Sequence, residues 1–133
     1  MNTLRAMTVL QISDMKRSAE FYNALGFGVL GAWGDPSGVA IMQRGDVTLM
    51  LQVADTVNKA GGRWSVYIYV DDIDALHDDL TAAGVAVTGP PEDKDYGCRD
   101  FGVYDPDSHC LAFGHDTNSA PYANGLGPER GRG

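Results

Sequence analysis

Three tyrosines, one aspartate and two pairs of histidine and cysteine are the side chains whose types and spacing could do chemistry in this sequence. Tyr67 and Tyr69 stand two residues apart in an apolar run, so both rings share one face if that run is a strand. Tyr96 stands just ahead of Arg99 and Asp100. Aromatic faces near a carboxylate suit a planar molecule that is partly polar or cationic. His109 and His115, with Cys98 and Cys110, have the atom types of a metal site. Strand alternation sends His109 and Cys110 to opposite faces, so that group does not converge. His77 falls among Asp74, Asp78 and Asp79 and is expected in solvent.

The elements that must position these groups repeat along the chain. Residues 7–12 read as a short strand, Asp14 as a helix N-cap, Met15, Ala19, Tyr22 and Leu25 as an apolar stripe, and Gly26 as the stop. The pattern recurs 58 residues later: a strand at 65–70, a cap at Asp72, a stripe of Ile73, Leu76, Leu80 and Ala83, and a stop at Gly84. After the first stop come strand-like segments at 27–33, 39–43 and 46–53. After the second they fall at 85–88, 98–104 and 109–114. Turns are expected at Asp35-Pro36-Ser37-Gly38 and Asp105-Pro106-Asp107-Ser108. The fold class is therefore α+β, with two tandem βαβββ modules at 7–53 and 64–115, a linker at 54–63, and a flexible tail at 116–133. A four-stranded sheet with one helix leaves a face uncovered, which must meet another surface or curve into a cup.

Alternation assigns the faces. Val47, Leu49, Leu51 and Val53 should lie under the first helix, leaving Thr48, Met50 and Gln52 on the open side with Met7, Val9 and Gln11. In the second module Val66, Ile68 and Val70 go to the helix, while Ser65, Tyr67 and Tyr69 go to the cup with Cys110, Ala112 and Gly114. The facing of Arg99 and Asp100 is not fixed by the pattern. This inventory lacks a general base and a set of hard metal ligands, so no catalytic residue, metal or cofactor is expected. The same tyrosines could equally cover a subunit interface.

Composition narrows the partners. The chain has 133 residues and a net charge of −8. Residues 1–63 carry six basic and five acidic side chains, whereas 64–116 carry two and twelve. A basic patch for nucleic acid is missing, and an acidic half favours a cationic partner. Capping explains Asp71, Asp72 and Asp74 at the second helix, so Glu92, Asp93 and Asp95 beside Tyr96 are the carboxylates expected at a cleft rim. Apolar runs are too short to span a membrane, and the start lacks a signal-peptide core. A soluble, cytoplasmic protein is expected, with both cysteines as free packing residues.

Three segments, 12–27 (ISDMKRSAEFYNALGF), 70–76 (VDDIDAL) and 96–109 (YGCRDFGVYDPDSH), together resemble the vicinal oxygen chelate superfamily, the glyoxalase and bleomycin-resistance fold. The resemblance implies two βαβββ modules and, in many members, a homodimer whose cups form where modules pair. Metalloenzymes of the superfamily hold their ion with His, Glu or Gln at four strand positions, which fall here on Met7, Gln52, Ser65 and Ala112. Only Gln52 offers a ligand atom, which speaks against metal-dependent isomerase, epimerase or dioxygenase chemistry. The sequence is similar to the metal-free bleomycin-resistance branch, whose aromatics match Tyr67, Tyr69 and Tyr96. The branch's loop aromatic is replaced by Asp35-Pro36-Ser37-Gly38, with Trp33 close by. The resulting expectation is a homodimer that binds a planar, cationic small molecule through Trp33, Met50, Gln52, Tyr67, Tyr69, Tyr96, Asp100 and Cys110. A glyoxalase-like lyase, isomerase or dioxygenase with a divergent metal site, and an interaction module with a filled cup, stay open as alternatives.

Overall fold

A computed structural model describes residues 1–59 and 63–117. The first module runs β1 (Thr8–Ile12), α1 (Met15–Ala24), β2 (Gly28–Gly34), β3 (Ser37–Arg44) and β4 (Val47–Val53). The second runs β5 (Val66–Tyr69), α2 (Ile73–Ala82), β6 (Glu92–Asp93), β7 (Cys98–Tyr104) and β8 (Cys110–Asp116). Each forms a four-stranded mixed sheet, ordered β1-β4-β3-β2 and β5-β8-β7-β6. The first and last strands of each module pair in parallel, and the other pairs are antiparallel.

The helices begin and end as the repeat requires. The Asp14 carboxylate accepts from the Arg17 amide at 3.0 Å and the Asp72 carboxylate from the Ala75 amide at 3.1 Å, satisfying one otherwise unpaired N–H in each first turn. Gly26 (φ 92°) and Gly84 (φ 82°) turn the chain out of each helix in a conformation that costs a residue with a Cβ. His115 adds a second cap on α2, its Nδ1 accepting from the Ile73 amide at 3.2 Å.

One core serves both modules. Leu10, Ile12, Tyr22, Leu49 and Leu51 belong to the same buried cluster as Ile68, Leu76, Phe101, Leu111 and Phe113. A polar seam reinforces it. The Tyr22 hydroxyl donates to Asp105 Oδ2 at 2.8 Å, and the Ser13 hydroxyl to Asp107 Oδ1 at 2.7 Å. His109 Nε2 donates to the Gln11 carbonyl at 2.6 Å, leaving Nδ1 as the acceptor 3.4 Å from the Ser65 hydroxyl. The turn between β7 and β8 is thereby fastened under the first module.

Three expectations need correction. Residues 85–88 are not a strand. Thr88 meets β7 through its amide on the Gly102 carbonyl (2.8 Å) and its hydroxyl under the Gly102 amide (3.0 Å), and then Pro90 and Pro91, which have no N–H to donate, interrupt the ladder. Pairing resumes at Glu92 and Asp93, opposite Asp100 and Arg99. Val53, expected under α1, is 41% exposed because the sheet ends there. His77 is not in open solvent but packs edge-on against Phe101, ring centres 5.1 Å apart. Of the tail expected at 116–133, Asp116 closes β8 and Thr117 donates its amide to the Gly97 carbonyl at 2.8 Å. Residues 118–133 of that tail, and 60–62 of the linker, lie outside the described residues.

Candidate functional site

The open face of the second sheet is hollow because its middle is built from the smallest side chains. Gly102 pairs with Ala112, and Asp100 with Gly114, across β7 and β8. The parallel registers put Val66 opposite Leu111 and Thr8 opposite Leu49, so Ala112 and Gly114 correspond to Met50 and Gln52 in the first module. There Val39, Ile41, Met50 and Gln52 cover the matching surface. Equivalent backbones thus carry a filled face in one module and a cavity of about 280 Å³ in the other. Thr88, Tyr96, Tyr104 and Cys110 line the cavity together with Arg63, Trp64, Glu92 and Lys94.

Asp100 lies at the centre of this arrangement and is 6% exposed. Its facing, open in the sequence, is now fixed: it points to the cup, while Arg99 reaches back to Asp74 of α2 at 2.9 Å. The Tyr67 hydroxyl donates to Asp100 Oδ2 at 3.0 Å, and the Tyr96 hydroxyl donates to the same oxygen. Burial, with hydrogen bonding to Cys98 and Asp100, pushes the Tyr67 phenol well above its ordinary range. Burial and the adjacent Asp100 do the same for Tyr96. Both phenols are therefore fixed as proton donors. The Cys110 thiol is also pushed up, by burial, which keeps it a poor nucleophile.

Trp64 completes the aromatic cluster and escapes the alternation argument. It precedes the first paired residue of β5, so the pleat does not dictate its direction. Its ring meets Tyr67 at 5.1 Å and Tyr96 at 5.8 Å, both edge to face, and Tyr67 meets Tyr69 at 5.1 Å. The Arg63 guanidinium lies 5.5 Å over the indole. The sequence signal for Trp64 is its position two residues before a strand rich in tyrosine.

The expected site residues thus fall into two groups. Tyr96, Asp100 and Cys110 line the cavity, Tyr67 reaches its floor through Asp100, and Tyr69 packs on Tyr67. Trp33, Met50 and Gln52 lie on the first module's sheet, where Trp33 pairs with Val39 and Val39 with Gln52. Within one chain they do not line the Asp100 cavity. Tyr67 and Tyr69 also border a second groove of about 670 Å³, shared with Arg5, Gln43 and Thr48. The expected acidic rim is neutralised in part, since Glu92 pairs with Lys94 at 3.2 Å and Asp93 with Arg99 at 3.3 Å.

The donor chemistry does not fit a divalent ion. Register makes Met50 the counterpart of Ala112 and Gly114 that of Gln52, so beside Met7 and Ser65 either pair supplies at most one amide oxygen, that of Gln52. Thioether, hydroxyl and methyl groups do not bind a hard catalytic metal against water. Among the described residues no three His, Cys, Asp or Glu side chains are grouped so as to hold one, and no helix is long and apolar enough to cross a membrane.

Two sheets of this topology, each backed by a helix and one hollowed into a cup, define the fold as α+β with paired βαβββ modules. The chain belongs to the glyoxalase/bleomycin resistance protein/dioxygenase superfamily, whose family model matches residues 5–113. Among solved structures it is similar to a bleomycin-binding protein complexed with bleomycin, at 25% identity and a TM-score of 0.72, covering 86% of this chain and 99% of that one. It is also similar in fold to a bleomycin resistance determinant encoded on the transposon Tn5 (24% identity, TM-score 0.73, 86% and 98% covered). A third fold relative is TioX from Micromonospora sp. ML1 (24% identity, TM-score 0.68, 86% and 99% covered). No curated protein sequence matches the chain.

Proposed function

We propose that this protein is a metal-free binding protein of the cytoplasm that sequesters a planar, cationic small molecule without altering it chemically. The observation that carries the reading is the convergence of Tyr67 and Tyr96 on the buried carboxylate of Asp100, with Trp64 packed on both rings, in a cup without a workable metal donor set. Rings hold a planar body, and the carboxylate favours positive charge. The likeness to a bleomycin-binding protein solved with bleomycin supports the same reading.

The working unit in this proposal is a homodimer. Val9 and Trp33 leave about half their surface exposed on the first module's open face, as an interface awaiting a second copy does. Trp33, Met50 and Gln52 of one copy would then close the cup of the other. Isothermal titration against bleomycin and other planar cationic drugs, with metal analysis of the same preparation and light scattering for the mass, tests all three parts. Stoichiometric binding by a metal-free dimer supports the proposal. A stoichiometric divalent ion with a chelator-sensitive turnover overturns it in favour of a lyase, isomerase or dioxygenase.

A further inference from the structure

The two oxygens of Asp100 are not treated alike. Oδ2 accepts both tyrosine hydroxyls, whereas Oδ1 has no hydrogen-bond partner among the described residues, although the residue is only 6% exposed and lines the cavity. The floor beside it, Gly102, Ala112 and Gly114, has no side-chain donor to offer. Among the described residues only Ser18 Oγ is both fully buried and unpaired, so Oδ1 keeps an edge open to water, which a donor on a ligand would replace. The cations near the cavity are engaged elsewhere: Lys94 pairs with Glu92 and Arg63 lies over Trp64.

We propose that the bound molecule presents an N–H-bearing cationic head, a protonated amine or an amidinium, to Oδ1 of Asp100. This rests on the reading of the cup as a small-molecule site and adds the chemical group that enters it. Tyr67 and Tyr96 act as positioning residues, since two hydroxyls on one oxygen fix the carboxylate plane and turn the other oxygen to the cavity. The rings do not form an open cage for a quaternary ammonium. Trp64 meets both tyrosines edge to face, so much of the aromatic surface is spent within the cluster. A head with an N–H gains a charge-assisted hydrogen bond that a fully methylated one cannot make.

The test compares three probes on the full chain near neutral pH: 1-naphthylmethylamine, its N,N,N-trimethyl derivative, and the neutral 1-(methoxymethyl)naphthalene, which has no donor. Calorimetry or quenching of tryptophan fluorescence reads the affinities. The amine is expected to bind at least about tenfold more tightly than either other probe. Asp100→Asn should bring it down to their level and leave theirs within about twofold. Equal affinity of all three for the unmodified protein overturns the anchoring role while leaving the cup as a binding site. Failure of every probe to bind overturns both. If Asp100→Asn does not fold, the comparison of amine with trimethylammonium on the unmodified protein still decides.

Discussion

The Tyr67 hydroxyl occupies the space into which a side chain on Gly114 would project. A Cβ built on Gly114 collides with that hydroxyl, lies 2.8 Å from Tyr67 Cζ and 3.1 Å from Asp100 Cβ, so the missing side chain is what lets the phenol lie across β8 and reach Asp100. Gly114→Ala is therefore expected to expel Tyr67 from the carboxylate and lower stability by about 1–3 kcal/mol, as overpacking does. Gly102→Ala is the contrasting case. Its new Cβ meets Cys110 Sγ, the Leu111 carbonyl and Thr88 Cγ2 all at 3.4 Å, a tight but tolerable fit. Urea unfolding should show the first variant clearly weaker and the second near the parent, while both lose cavity volume and bind planar probes less well.

Tyr67 and Tyr96 share one acceptor, so their contributions should not add. Removing either hydroxyl leaves Asp100 with one donor, and removing both leaves a buried carboxylate with none. Each of Tyr67→Phe and Tyr96→Phe is expected to cost about 1–3 kcal/mol, with the double variant differing from the sum by more than about 0.5 kcal/mol. A double-mutant cycle from denaturant midpoints measures this. Strict additivity would mean that the two phenols act independently of the shared oxygen.

The same pair predicts the alkaline limb of stability. Both phenols ionise above their ordinary value in the fold, for which 10.0 is the reference, and near it in the unfolded chain. Their contribution is thus complete below pH 10.0 and declines as pH rises toward the folded-state values, because the unfolded chain then holds fewer protons. In Asp100→Asn the carboxylate no longer opposes phenolate formation, so Tyr96 should ionise at lower pH. Tyrosinate absorbance followed during an alkaline titration reads that shift, and an unchanged curve would remove Asp100 as a cause.

How far the site was legible follows from what repeats and what does not. The 58-residue offset from Asp14 to Asp72 placed both helices, because caps and stop glycines are local chemistry. Alternation placed Tyr67 and Tyr69 on the open face for the same reason. It failed where backbone pairing departs from a regular ladder. Trp64 lies two residues before the start of β5, and prolines displace the edge strand from 85–88 to Glu92–Asp93. The facing of Asp100 depended on the β7–β8 register, a long-range pairing that periodicity in one strand does not contain. The inequivalence of Gln52 and Ala112 was hidden similarly, since β4 is offset from β8 by 62 residues and the first strands by 58.

Arg99 sets an acid-side dependence. It donates to both oxygens of Asp74, at 2.9 Å and 3.2 Å, and to Asp93 at 3.3 Å, tying α2 to β6 and β7. Hydrogen bonding to the guanidinium holds the Asp74 carboxyl below its ordinary 3.8. A carboxyl depressed in the fold stabilises it above the unfolded value, and that contribution disappears as pH falls through the lower folded one. The pair is exposed, so the effect is small and salt-sensitive. Urea midpoints at about pH 6 and about pH 3 should fall further in the parent than in Arg99→Ala. Equal drops would show that the ion pair contributes nothing to acid stability.

The seam between modules makes a prediction of a different kind, about cooperativity. Tyr22 is fully buried in α1 of the first module and donates to Asp105 Oδ2 in the second, while Oδ1 of that carboxylate accepts the Asp107 and His109 amides at 2.9 Å and 2.8 Å. The Asp105 turn is thus ordered by its own backbone and fastened by a side chain 83 residues away. Tyr22→Phe keeps the ring in the core but leaves Oδ2 without its donor, which is expected to cost about 1–3 kcal/mol. Because the apolar core runs through both modules without a break, the loss should lower the denaturant midpoint and leave the slope of the transition unchanged. Two resolved transitions, or a shallower one, would show that the hydroxyl is needed for the modules to unfold as one unit. Far-ultraviolet circular dichroism and tryptophan fluorescence recorded on the same samples separate the outcomes, since both tryptophans, Trp33 and Trp64, report one on each module.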